Sequence, residues 1–250
     1  MASAALNPAD RFRIGRVFHD SFAVIGRNPL LCVGLALIFS GLPRFAIQFL
    51  VLKRIVHFTR YSPQHIAFAV TAALVAMILA AVLQAALVRV TIEDLNGKRP
   101  TLGDCLAVAI SFLLPTIGIA LLATFGAAFA LLALVVPGVI LFLRWSVAVP
   151  ALVQERLGVL GSMARSSDLT KGSRWALFWL WIVLITAAYA VQFALVAIVP
   201  AVGAMAGMSL DALASAVLYM LTSIAPAVCY VELRRVKEGT SVEDLAEIFS

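Results

Sequence analysis

The stretch 137-PGVILFLRWSVAVPALVQE-155 opens on Pro-Gly and carries Arg144 inside an otherwise apolar run. Read as a membrane span, it places a charge where insertion scales assign a cost of about 2.5–3.5 kcal/mol, so other parts of the chain have to compensate for it. Composition supports that reading. Of 250 residues, 63% are hydrophobic and 13% are charged, and the mean hydropathy is +1.04. A water-facing globule of this length does not have such values.

Working outward, the Pro137-Gly138 pair predicts a tight turn from a third span over 115–136 into a fourth over 139–154, with a re-entrant hairpin as the alternative. At 1.5 Å per residue the fourth is short, about 24 Å. Gly118, Ala123, Gly126 and Ala127 give the third span small-residue contact faces. Upstream lie spans over 29–52, interrupted at Pro43-Arg44, and 66–88. In the latter, Ala72, Ala76, Ala80 and Gln84 share one stripe, a close-packing face with Gln84 as an interhelical hydrogen-bonder. Downstream lie spans over 175–199, entered through the interfacial belt Trp175, Trp179 and Trp181, and over 211–231, kinked or relieved at Pro226.

The segments between spans are amphipathic. Residues 8–27 set Arg11, Arg13, Arg16 and Arg27 against Phe12, Ile14, Val17, Phe18, Phe22 and Ile25 at helical spacing, which predicts a helix lying on the membrane surface and ending at Asn28-Pro29. Residues 101–114 predict a short helix before the third span. LGSMARSSDLTKG, 160–172, predicts another that stops at Gly172. In the tail, Ser241 to Asp244 reads as a capping-box start with Val242, Leu245 and Ile248 on one face. The expected fold is an all-α polytopic membrane protein of one integral domain: an interfacial helix (1–28), a six-helix bundle (29–231) and a cytoplasmic tail (232–250).

Orientation follows from lysine and arginine. One side holds Arg11, Arg13, Arg16, Arg27, Arg89, Lys98, Arg99, Arg156, Arg165, Lys171, Arg174, Arg234, Arg235 and Lys237, the other only Lys53, Arg54 and Arg60. The bias predicts both termini in the cytoplasm. The net charge of +6 comes with no basic run or base-stacking module, so nucleic acid is not an expected partner. Cys32, Cys105 and Cys229 are odd in number and widely spaced, and read as small apolar residues. The N-terminal region lacks the short apolar region and cleavage site of a signal peptide, so the first span is expected to remain in the mature protein. His19, His57 and His65 are scattered, with no carboxylates spaced for a metal or for acid-base work, so neither enzyme activity nor a cofactor is expected.

Two groups of residues are candidates for chemistry. Arg44 and Arg144 are expected at similar depth in the outer half, with Tyr189, Gln192 and Tyr219 alongside and Asp211 the sole acid predicted nearby. One reading is a polar pocket that receives an anion, most naturally a lipid phosphate. The other has Arg44 snorkelling to the headgroups and Arg144 bonded to backbone carbonyls or to Asp211. At the inner side Glu155, Arg165, Glu232 and Arg234 suggest a structural ion-pair network, with Glu155 paired to Arg165 or Arg234.

Four stretches carry a family resemblance: FAVIGRNP before the first span, the 137–155 stretch, MARSSDLTKGSRW after it, and the terminal YVELRRVKEGTSVEDLAEIF. Together they resemble the YciC-like bacterial inner-membrane proteins and the membrane domain attached to some glycerophosphoryl diester phosphodiesterases. The resemblance implies a six-helix inner-membrane module without an assigned biochemical role. The phosphodiesterase activity belongs to a separate catalytic barrel for which this chain has no room. The expected function is a non-enzymatic module that binds, senses or moves membrane lipids or other amphiphiles in envelope maintenance. The alternative is a structural or assembly partner for other membrane proteins or for further copies of itself. A small secondary transporter fits less well, since no inverted repeat is evident.

Overall fold

A computed structural model of the protein describes residues 12–53 and 62–248, excepting the side chains at 131, 133, 200 and 239–248. The expectations on Arg11, Arg54, His57 and Arg60, and on the side chains of Ser241, Val242, Asp244, Leu245 and Ile248, lie outside the described residues. The described chain is helical apart from short connections, with no strand among the described residues. Six helical segments are long and apolar enough to cross a membrane: Pro29–Leu52, Pro63–Leu95, Leu113–Ala130, Val135–Glu155, Arg174–Val199 and Ala204–Glu238. The described residues form an all-helical membrane protein.

Helix α1 (Ile14–Arg27) precedes span one, which consists of α2 (Pro29–Ala36), a π-helical turn (Leu37–Gly41) and α3 (Leu42–Leu52). Span two is α4 (Pro63–Leu95), whose start is capped by the Ser62 hydroxyl accepting from the His65 N–H at 3.1 Å. After Gly97, held at φ 73° as the Asn-Gly turn requires, Thr101 caps α5 (Leu102–Ser111). Helix α6 (Leu113–Ala133) is span three, and α7 (Val135–Trp145) with α8 (Ala148–Glu155) forms span four. Helix α9 (Gly158–Thr170) leads to α10 (Arg174–Val202) and α11 (Ala204–Ile248), spans five and six. Gly172, at φ 94°, stands just past the end of α9 as expected.

The proline rule that shaped the sequence reading acts one turn earlier than the prolines themselves. A proline ring cannot bond the carbonyl four residues back and crowds it, yet sits comfortably in the first turn of a new helix. The hairpin between α6 and α7 therefore turns at Leu134 (φ −162°, ψ 138°), and Pro137 and Gly138 lie inside α7. Span four breaks at Ser146–Val147, one turn ahead of Pro150. Helix α5 ends at Ser111, one turn ahead of Pro115. Ahead of Pro43 the helix widens into the π-helical turn instead of breaking. At Pro226 the helix continues without a break.

Two further expectations are corrected. The loop expected over 200–210 is already helical from Ala204, the chain turning at Gly203 with φ 83°. Helix α11 is continuous to Ile248, so no separate helix begins at Ser241. At 45 residues α11 is about 68 Å long and α4, at 33 residues, about 50 Å. Both exceed a hydrocarbon layer of about 30 Å, so their ends carry structure outside it.

Burial is uneven. Of span six's apolar window 61% is buried, against 6% of span five's, which makes α11 the central element. The core gathers at the end of the bundle that holds α1 and the C-terminal part of α11: Leu83, Ala85 to Val88, Val147 to Val153, Ile224 to Tyr230 and Leu233. Val17, Ser21 and Val24 of α1 recur at helical spacing and are buried there. Cys32, Cys105 and Cys229 are free and buried, and burial pushes the Cys105 thiol up to about 12. At the opposite end the spans expose broad apolar faces, Leu132 and Phe193 among them.

The break in span four leaves backbone groups without helical partners in a buried place, which is costly unless they are satisfied. Ser166 of α9 supplies both contacts: its hydroxyl donates to the Arg144 carbonyl at 2.7 Å and accepts from the Val147 N–H at 3.3 Å. Ser166 is fully buried. Ser166→Ala is expected to destabilise the protein by about 1–3 kcal/mol, read as a lower midpoint of thermal unfolding in detergent, whereas exposed Ala164→Ser on the same helix should leave the midpoint unchanged.

Candidate functional site

Spans one, two and six enclose a groove of about 360 Å³, within the range of small-ligand sites, about 300–1,000 Å³. Its apolar trough is formed by Ile47 of α3 and by Val75, Ala76, Leu79, Ala80 and Leu83 of α4. Ser40, Arg44, Gln48 and Tyr219 supply polar groups. The π-helical turn contributes Phe39 and Ser40 to the lining. Gly41 packs against α11 on the neighbouring face, where a β-carbon would stand in ordinary contact, 3.4 Å from the Ala212 carbonyl oxygen and 3.5 Å from the Ala216 methyl. The stripe of α4 expected as a closed helix contact thus opens onto the groove at Ala76 and Ala80, and Gln84 makes no hydrogen bond with the described residues.

Arg44 projects from the first turn of α3 toward Asp211 of α11. Its Nε donates to Asp211 Oδ2 at 2.5 Å and its Nη2 to Oδ1 at 3.2 Å, and Gln48 Nε2, one turn further on, donates to Oδ2 at 2.6 Å. The Asp211 side chain is 16% exposed and that of Arg44 44%. Such a fork is the strong form of an ion pair. It uses one edge of the guanidinium; Nη1 and the hydroxyls of Ser40 and Tyr219 have no hydrogen-bond partner among the described residues.

The five residues expected to share one pocket do not meet. Arg44 and Tyr219 line the groove. Arg144 stands at the break of span four, its Nε donating to the Ser167 hydroxyl at 2.9 Å. The two arginines have separate surroundings because α3 packs on α11, while α7 packs on α6, α9 and α10. Tyr189 is exposed and Gln192 half-buried on α10, and neither lines the groove. Asp211, the one acid expected near the outer side, pairs with Arg44 and not with Arg144.

At the opposite end, Arg165 Nε donates to both carboxylate oxygens of Glu155 at 2.9 Å, and its Nη2 meets Glu238. Glu238 also holds Arg234 at 2.5 Å, and the Tyr230 hydroxyl donates to Glu155 at 2.7 Å. The expected Glu155–Arg165 pair is present. Glu232 instead accepts from Arg16 of α1 at 2.8 Å, and Arg27 forks onto Asp94, which Asn28 also reaches at 2.7 Å. These contacts tie α1 to α4 and α11, and α9 to α8 and α11. Glu238 was readable four residues after Arg234, as was Gln48 four after Arg44. Tyr230 and Arg16 carried no such local signal.

Among the described residues no three histidine, cysteine, aspartate or glutamate side chains are grouped to hold a metal ion. No family model matches the chain, and no curated protein or solved structure matches it.

Proposed function

We propose that the protein is a non-enzymatic module of a bacterial inner membrane that binds an amphiphile in the groove between spans one, two and six. The observation that carries this reading is the groove's two-part chemistry. An apolar trough on α4 leads to an arginine edge, a serine and a tyrosine, all on segments apolar enough to lie in a bilayer. A lipid has the same two parts, and the remainder of its chains would stay in the surrounding bilayer, since the groove is too small for a whole two-chain lipid. The resemblance to YciC-like proteins and the lysine and arginine bias support an inner-membrane location with both termini cytoplasmic. In that orientation the ion-paired end faces the cytoplasm, and the exposed Phe22 face of α1 meets the membrane surface.

The test is native mass spectrometry of gently extracted protein. The parent protein is expected to carry one lipid, and Ala76→Trp, which fills the trough without touching the ion pair, is expected to lose it. Equal lipid content in both proteins overturns the groove as the site. A co-purifying protein in place of lipid favours the assembly-partner reading.

A further inference from the structure

The groove's fixed charge is balanced before any ligand arrives. Among the described residues that line it Arg44 alone is charged, and Asp211 neutralises that charge through the fork. Resting on the amphiphile reading above, we infer that the groove selects a headgroup of zero net charge, and that its occupant is a zwitterionic phospholipid and not an anionic one.

An anionic headgroup has two ways in, and both are costly. If it leaves the pair intact, it adds a net negative charge in surroundings of low dielectric, with Asp211 close by. If it takes Arg44 for itself, it strands Asp211, whose side chain is largely buried, beside a second anion. Gln48 keeps one hydrogen bond on Asp211 Oδ2 in that case, which offsets part of the cost but leaves the repulsion between the two anions. A zwitterion meets neither obstacle. Its phosphate takes the outward Nη1 edge of Arg44 with the Ser40 and Tyr219 hydroxyls. Its ammonium stays beside its own phosphate, so the headgroup adds no net charge to the groove. The site then holds four charges summing to zero, each beside its opposite.

The experiment offers delipidated full-length protein an equimolar mixture of phosphatidylethanolamine and phosphatidylglycerol with identical acyl chains, and compares the two bound populations by native mass spectrometry. Phosphatidylethanolamine is expected to exceed phosphatidylglycerol by about tenfold. Asp211→Asn gives the site a net positive charge and is expected to reverse the ratio. The double variant Arg44→Gln/Asp211→Asn restores zero and is expected to bind less lipid in total while still preferring the ethanolamine. Parity, or a preference for the glycerol headgroup in the parent protein, overturns the selectivity while leaving amphiphile binding in place. No adduct of either lipid overturns both. The parent ratio and the double variant decide the question even where Asp211→Asn does not fold.

Discussion

Glu155→Leu is expected to lower the stability of the protein by about 2–3 kcal/mol. Glu155, 18% exposed, is the acceptor for both Arg165 and Tyr230. Its loss leaves the phenol hydroxyl of a fully buried tyrosine without a partner and leaves Arg165 with Glu238 alone. Breaking a fully buried pair costs about 3–5 kcal/mol; the smaller figure reflects an Arg165 side chain that is 29% exposed and keeps a second partner. By the scaling for a chain of this size the unfolding midpoint falls by roughly 4–12 °C. Glu155→Gln keeps an acceptor for Tyr230 and should lose less. Equal midpoints for the leucine variant and the parent protein would show that the contacts of Glu155 with α9 and α11 add nothing to stability.

Gly126→Val is expected to disrupt the hairpin of spans three and four. A β-carbon at Gly126 would stand 2.7 and 3.0 Å from two ring atoms of Trp145. The indole is a rigid plane at the end of α7, next to the break that Ser166 bridges, so it cannot yield as a flexible side chain does. Overpacking of this kind costs about 1–3 kcal/mol. Trp145→Leu removes the obstruction, and the double variant should recover part of the loss, a coupling that a double-mutant cycle measures directly. Strictly additive effects would refute the contact.

The six spans were legible because each is a long apolar run, and length with hydropathy is a local property. The small-residue face at Gly126 was legible for the same reason. Turn positions were displaced by one helical turn, since the steric demand of Pro137 and Pro150 falls on carbonyls at Ala133 and Ser146, not at the prolines. Pairings were harder. Glu155 and Arg165 are ten residues apart in a segment that folds back on itself, and their meeting could be anticipated. Arg44 and Asp211 are 167 residues apart. The sequence offered one outer acid to two arginines, and helix packing assigned it; between spans in lipid no hydrophobic drive dictates which helices adjoin. Arg144 was placed by counting from a turn that is not at Pro137, and its partners on α9 belong to a segment expected to lie outside the bundle.

The π-helical turn at Leu37–Gly41 holds one residue more than an α-helical turn, and one residue is about 100° of rotation. Span one is therefore two helices out of phase. Before the turn Cys32, Leu35 and Ala36 point inward; after it Arg44 and Gln48 point at Asp211. Without the extra residue Arg44 would swing about 100° away from α11. A chain one residue shorter there would keep its hydropathy and every charge and lose the ion pair, so segment length encodes the site as much as residue type does.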